Sequence, residues 1–154
     1  MNVDTAGLRI IPVSSRALIV EYPDLAAVLA HYPALVAGAL TGVDELVPAA
    51  STIMVCFNPT VVTAAQLAAR IRAIPPLASG TTQFETVTID VTYDGEDLTA
   101  VADMLQVSPD ELIRRHTSAK WEVAFVGFAP GFSYCMGDDE LFNVPRRPTP
   151  RTRI

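Results

Sequence analysis

The 154-residue sequence lacks several features that would place it in a familiar class of protein. It contains no run of about 18 apolar residues, and its first residues lack the basic and apolar regions of a secretory signal. Its 11 Lys and Arg stand against 17 Asp and Glu, so there is no surplus of cations to neutralise nucleic-acid phosphates. We therefore predict a protein that binds neither a membrane nor nucleic acid.

Residues that bind metals or activate nucleophiles are equally scarce. The two cysteines, Cys56 and Cys135, lie far apart and form no CxxC pair, which is typical of reduced thiols in a cytosolic protein. The two histidines add no metal-ligand spacing. The sequence contains no GxxxxGKS/T phosphate loop and no GxSxG nucleophile turn. It therefore predicts no metal site and no self-contained nucleotide site.

The spacing of apolar residues predicts a small α+β domain over 1–77. Apolar runs at 8–13 and 16–22, and again at 43–47 and 51–57, predict two strand pairs. Between and after these pairs, apolar residues recur at helical spacing. The predicted order ββαββα places two helices against one antiparallel sheet, which is a two-layer sandwich.

The two predicted helices of this domain carry recognisable start and stop signals. Asp24 can cap the first helix, and Pro33 is expected to kink or split it. His31, in the same helix, is expected at the surface. Thr63 followed by Gln66 fits a capping box at the start of the second helix.

A polar stretch at 78–83 is the predicted boundary to a second domain over 84–154. The alternation of apolar and polar residues at 87–91 predicts a half-buried strand. Two short helices, capped by Asp97 and Ser108, and one further strand are predicted after it. The sheet of this domain would then lack strands. We expect that the chain is truncated here, and the alternative is that a partner covers the open edge.

The segment 127–134, Gly-Phe-Ala-Pro-Gly-Phe-Ser-Tyr, is a candidate binding turn. Glycines let backbone N–H groups approach a ligand closely, and loops that follow a rigid strand often carry sites. The alternative is a buried aromatic turn that serves packing alone, and composition does not decide between them. The candidate binding residues are Gly127, Phe128, Pro130, Gly131, Phe132 and Tyr134.

The last nine positions hold four of the eleven basic residues, interspersed with prolines. Guanidinium groups pair bidentately with carboxylate or phosphate, so Arg146, Arg147 and Arg151 could clamp a small anion. The alternative is a solvated basic segment that pairs with the acidic residues at 138–140.

His116 is the candidate for proton transfer. It lies four residues after Leu112 on one face of a predicted helix, and a histidine can exchange protons near neutral pH. The alternative is a hydrogen-bonded structural histidine. Without a family to compare with, the sequence shows no complete catalytic set.

In combination, these motifs resemble the family of allophanate hydrolase subunit 1 and the 5-oxoprolinase B subunit, which also contains inhibitors of a sporulation histidine kinase. The likeness lies in His116 and in the segments 121–134, 144–151, 15–21, 45–48 and 57–59. One departure is Cys135-Met136-Gly137, where the family usually has Leu-Gly-Gly. The departure places Met136 in a turn where the family has glycine.

The resemblance implies a cytoplasmic bacterial subunit in which the N-terminal α+β sandwich precedes a cyclophilin-like β-barrel, here only its first part. It implies an amide or lactam hydrolase that uses ATP in a complex with a homologous second subunit (of the subunit 2 or C-subunit type), and a chain inactive alone. His116 would transfer a proton, the turn would line the pocket, and the three arginines would hold an anionic substrate. The alternative is a non-catalytic inhibitor of a sensor histidine kinase.

Overall fold

The computed structural model describes residues 5–77, 85–127, 129–145 and 148–149. Its elements in chain order are β1 (Arg9–Ser14), β2 (Ala17–Glu21), α1 (Leu25–Ala37), β3 (Val43–Pro48), β4 (Thr52–Phe57), α2 (Ala64–Ala73), α3 (Leu98–Met104), α4 (Pro109–Ser118), β5 (Trp121–Val126), β6 (Ser133–Gly137) and a 3₁₀ helix at Glu140–Phe142. The predicted α+β class is confirmed by these elements.

Contacts divide the chain into two units. One unit spans Met1–Phe84 and Ala124–Tyr134, and the other spans Glu85–Val123 and Cys135–Ile154. None of the helices in the described ranges has both the length and the apolar content that a bilayer crossing requires. The same ranges bring together no group of three or more His, Cys, Asp or Glu side chains that could hold a metal ion.

The first unit is built on an antiparallel sheet with the strand order β1-β2-β4-β3. At its centre Leu18 lies opposite Val55, and Val20 lies opposite Ile53. All four side chains are buried, because alternate residues of a strand point to the same face of a sheet. Over residues 9–73 the order of elements is ββαββα, as the apolar spacing predicts.

Helix α2 covers the sheet with Leu67 and Ile71, which lie one turn apart and are fully buried. The capping box predicted at its start is present. The Thr63 hydroxyl accepts from the Gln66 N–H at 3.3 Å, and the Gln66 side-chain oxygen accepts from the Thr63 N–H at 3.1 Å. Two backbone donors that the helix leaves unpaired are thereby satisfied.

Helix α1 is unbroken from Leu25 to Ala37 although Pro33 lies inside it, so the expected split is absent. Proline removes one hydrogen bond from the helix ladder. The buried face on both sides of the proline consists of Ala27, Val28, His31, Ala34 and Leu35. Packing of this face stabilises the helix across the missing bond, because tertiary contacts supply most of the stability of a helix.

His31 is buried, so the expectation of a surface residue is wrong. Its Nε2 lies 2.9 Å from the carbonyl oxygen of Ile74, and its Nδ1 lies 2.7 Å from the hydroxyl oxygen of Tyr22. Because a carbonyl only accepts, Nε2 carries the hydrogen and Nδ1 accepts from the Tyr22 O–H. Burial lowers the pKa of His31, and the hydrogen bond to Ile74 opposes this shift only in part.

The second unit contains α3 and α4, whose inward residues Ala102 and Leu112 are buried. Ser108 caps α4 as predicted, because its hydroxyl accepts from the Glu111 N–H at 3.1 Å. Asp97 occupies the corresponding position before α3, but its side chain makes no capping hydrogen bond. Asp97 therefore occupies the predicted N-cap position, but the predicted capping hydrogen bond of its side chain is not formed.

The strand predicted over 87–91 is not formed, since residues 85–95 contain neither helix nor strand. Val87 is 73% exposed and Ile89 is 77% exposed. A strand requires a neighbour that accepts and donates its backbone hydrogen bonds. The described part of this unit supplies no such neighbour, so the alternating pattern alone does not produce the strand.

Candidate functional site

The predicted binding turn joins β5 to β6, which pair in a two-stranded sheet. The Gly127 N–H donates to the Phe132 oxygen at 3.1 Å, and the Phe132 N–H donates to the Ala129 oxygen at 3.0 Å. Gly131 has a φ of +79°, which glycine adopts without the steric cost that a Cβ would add. The backbone of the turn therefore requires a glycine at position 131.

The aromatic rings of the turn lie against one another. Phe125 and Tyr134 stack with their ring centroids 4.6 Å apart, and Phe132 meets Tyr134 edge-on at 5.2 Å. Phe132, Pro130 and Gly131 are exposed, so the tip of the turn presents an aromatic surface to solvent. Phe128 lies outside the described residues. Substrate binding by this turn stays a prediction.

The predicted anion clamp cannot be placed, because Arg146, Arg147 and Arg151 lie outside the described residues. Two of the three acidic residues named as alternative partners of the basic tail have other bonds. Asp139 pairs with Arg115, and Asp138 accepts from a backbone N–H. Anion binding by the three arginines therefore stays a prediction.

His116 lies at the centre of an aromatic cluster in the second unit. The Tyr93 hydroxyl oxygen is 2.7 Å from His116 Nδ1. The ring centroids of Trp121 and Phe142 are 4.8 Å and 5.4 Å from that of the imidazole. Trp121 Nε1 also donates to the backbone oxygen of His116 at 2.9 Å. We call these four residues the His116 cluster.

The hydrogen bond between the Tyr93 hydroxyl and His116 Nδ1 orients the imidazole, and either group can be the donor. A hydroxyl and an imidazole nitrogen can each donate or accept, so the hydrogen between them belongs to one or the other according to the tautomer. In a catalytic triad, a neighbouring group holds the histidine in the orientation and tautomer that proton transfer needs. Tyr93 provides that fixation for His116.

Three residues of the His116 cluster, Tyr93, His116 and Phe142, line a cavity of about 720 Å³. This volume lies within the range of about 300–1,000 Å³ that is common for ligand pockets. Leu98, Val101 and Leu112 add apolar side chains to the lining, and His116 and Tyr93 add polar ones. The cavity thus combines an apolar body with a few convergent polar groups, as binding sites do.

The charged residues that line this cavity are all acidic. Asp94, Glu96 and Asp97 contribute carboxylates, and the described lining contains no lysine or arginine. Like charges repel more strongly near a low-dielectric protein surface than in water. A ligand that carries its own carboxylate therefore needs cations from another part of the protein.

Sequence reasoning identified His116 but missed two of its partners. Tyr93 precedes His116 by 23 residues, and Phe142 lies beyond β6, so no helical or strand spacing connects them. The sequence predicts Trp121 as part of a strand and of a family motif, and not as a partner of His116. Its position directly after the helix of His116 was the one local signal of their contact.

Gly137 packs against the face of Trp121, so a methyl group there should loosen the His116 cluster. A Cβ at position 137 would lie 2.7 Å from Trp121 Cζ3. We expect Gly137→Ala to lower the free energy of unfolding by about 1–3 kcal/mol and to shift the fluorescence of Trp121, the sole tryptophan. Gly95→Ala is the control, because a Cβ there meets nothing within 4 Å. Equal unfolding midpoints for the two variants would contradict this expectation.

The chain matches the family described as "Carboxyltransferase domain, subdomain C and D" over residues 8–154. With its α+β fold, this match defines a protein of the carboxyltransferase-domain class. The chain belongs to this family. The resemblance stated from the turn and tail motifs is thereby confirmed at the level of the family.

Individual relatives agree with this assignment. The B subunit of 5-oxoprolinase from Bacillus subtilis (strain 168) is 42% identical over 71 residues, which cover 44% of this chain and 30% of that protein. The crystal structure of TTHA0988 aligns with a TM-score of 0.66 at 26% identity, over 90% of this chain and 29% of that chain. The K. lactis urea amidolyase aligns with a TM-score of 0.59 at 12% identity, over 84% and 10%, which shows a shared fold alone. The matched part of the chain covers about a third of its curated relatives.

Proposed function

We propose that the chain is part of a cytoplasmic subunit of an ATP-dependent amide or lactam hydrolase of the 5-oxoprolinase or allophanate hydrolase type. The observation that carries this proposal is the family match over residues 8–154, which is supported by relatives named as the B subunit of 5-oxoprolinase. The subunit acts with a homologous partner subunit. We assign ATP to the complex and to no residue of this chain.

His116 is the proposed proton-transfer residue. Hydrolysis of a lactam adds the oxygen of water to the carbonyl carbon, breaks the C–N bond and leaves a nitrogen that must gain one proton. This role is supported by two observations: His116 lines the cavity, and its Nδ1 lies within hydrogen-bond distance of the Tyr93 hydroxyl. General acid catalysis of this kind contributes about 10²- to 10⁴-fold to a rate.

The proposed substrate is a small anionic amide or lactam, such as 5-oxoproline. The apolar side chains of Leu98 and Phe142 suit the carbon skeleton of such a molecule. Because the charged lining of the cavity is acidic, the carboxylate of the substrate needs the arginines of the tail. We therefore keep Arg146, Arg147 and Arg151 as its proposed partners. The aromatic turn at 127–134 keeps its proposed role in substrate binding.

Reconstitution with partner subunits tests the proposal directly. The 154-residue chain, co-expressed with the other subunits of a 5-oxoprolinase, is expected to support ATP-dependent release of glutamate from 5-oxoproline, and the chain alone is not. The same subunits combined with the Bacillus subtilis B subunit serve as the positive control. If that control releases glutamate and the complex with this chain hydrolyses neither 5-oxoproline nor allophanate, the proposal is wrong.

A further inference from the structure

An ion pair in the second unit connects helix α4 to the segment after β6. Arg115 Nε donates to Asp139 Oδ2 at 2.7 Å, and Arg115 Nη2 donates to the second carboxylate oxygen. The two side chains are 34% and 18% exposed, so the pair is partly shielded from water. The hydrogen bond from Arg115 lowers the pKa of Asp139, and the Leu141 N–H adds to this shift. The pair is therefore ionised and bidentate, which fixes its geometry.

Asp139 also organises the 3₁₀ helix that carries Phe142. Its Oδ1 accepts from the Leu141 N–H at 2.9 Å. A single 3₁₀ turn has little stability of its own and depends on such contacts. Phe142, at the end of this turn, meets the His116 ring edge-on. The ion pair thus joins the residue before His116 to the turn that presents Phe142.

We infer that Arg115 and Asp139 are positioning residues that hold the His116 cluster in shape. Neither side chain lines the cavity, whereas His116 and Phe142 both do. The ion pair therefore acts through those two rings and not on a ligand. The part of this inference that concerns turnover rests on the proposed function, and the part that concerns the cluster is independent of it.

Helix α4 contains a matched ion pair that serves as the control. Arg114 Nε and Nη2 donate to the two oxygens of Glu111 at 2.7 Å and 2.6 Å. This pair has the same chemistry, but its side chains are 66% and 38% exposed and lie one turn apart on the same helix. An exposed pair within one helix contributes little to stability. Its removal leaves the connection to Phe142 intact.

Trp121 reports on the cluster in the 154-residue chain, because it is the sole tryptophan and packs against His116 and Phe142. Arg115→Gln and Asp139→Asn are each expected to shift its emission to longer wavelength and to increase its quenching by acrylamide. Arg115→Lys is expected to recover part of the change, and far-UV circular dichroism checks that each variant is folded. The inference is overturned if Arg115→Gln and Arg114→Gln give the same emission and quenching.

Turnover in the reconstituted complex is the second measurement. Arg115→Gln is expected to lower kcat by about 10- to 100-fold with a smaller change in KM, because a small displacement of a reacting group costs rate more than binding. Arg114→Gln is expected to leave both constants unchanged. An active wild-type complex with an equally active Arg115→Gln variant refutes the positioning role. An inactive wild-type complex refutes the proposed function instead, and the Trp121 measurement then decides this inference.

Discussion

Replacing His116 by glutamine is expected to lower the kcat of the reconstituted complex by about 10²- to 10⁴-fold. Glutamine retains much of the polarity of histidine but cannot donate and recover a proton near neutral pH. The side chain lines the cavity and its Nδ1 contacts the Tyr93 hydroxyl, so its loss removes the one proton-transfer group that the proposed mechanism uses. The measurement is glutamate release at saturating 5-oxoproline and ATP.

Two further variants separate this role from a structural one. Tyr93→Phe removes the orienting hydroxyl and retains the ring, so it is expected to lower kcat by a smaller factor than His116→Gln. Thr117→Ala removes an exposed hydroxyl that bonds only to carbonyls of its own helix, and it is expected to leave turnover unchanged. If the complex that carries His116→Gln has the kcat of the wild-type complex, His116 has a structural role and does not transfer the proton.

The order ββαββα over residues 9–73 could be predicted because its signals are local. In β4, Ile53, Val55 and Phe57 alternate with less buried residues, and the pattern by itself identifies the face that packs on the helices. Thr63 and Gln66 mark the start of α2 through bonds made within one turn. Signals of this kind need no knowledge of the rest of the chain.

His31 could not be placed from local signals. It shares a helical stripe with Val28 and Leu35, which favours burial, but a histidine is buried at low cost only when its ring nitrogens find partners. Those partners are Tyr22 and the carbonyl of Ile74, which lies 43 residues away. The sequence contains the stripe and does not show the hydrogen bonds.

The candidate site could be predicted in part, for the same reason. The residue type and helical position of His116 make it a candidate for proton transfer, and the family resemblance includes this residue; the role stays a prediction. Tyr93 and Phe142 reach it only through tertiary structure, and the Arg115–Asp139 pair depends on where the chain goes after β6. The residue types that suit a site could be recognised in the sequence, whereas the contacts between residues far apart in the chain could not be predicted from it.

His31→Ala is expected to lower the free energy of unfolding of the first unit by about 3 kcal/mol. The substitution leaves the Tyr22 hydroxyl and the Ile74 carbonyl without their partner in a buried position, and it also creates a cavity. Urea unfolding followed by far-UV circular dichroism measures the change. Tyr32→Phe is the control, since Tyr32 is only partly buried against the same core, and a change below about 0.5 kcal/mol is expected. If both variants lose a comparable amount of unfolding free energy, the hydrogen bonds of His31 do not account for the loss in His31→Ala.

The buried hydrogen bonds of His31 with Tyr22 and Ile74 also predict how the stability of the protein depends on pH. Burial lowers the pKa of His31 in the folded chain below its ordinary value of 6.5, so the unfolded chain binds the proton more readily than the folded one. The stabilisation is therefore complete above pH 6.5 and is lost as the pH falls through the lower folded-state pKa. Protonation of Nδ1 would also replace the acceptor of the Tyr22 O–H by a donor, and burial raises the pKa of Tyr22, so its hydroxyl keeps its hydrogen. As the pH falls from 6.5, wild-type protein should lose stability more steeply than His31→Ala, and parallel pH profiles would exclude His31 as the cause.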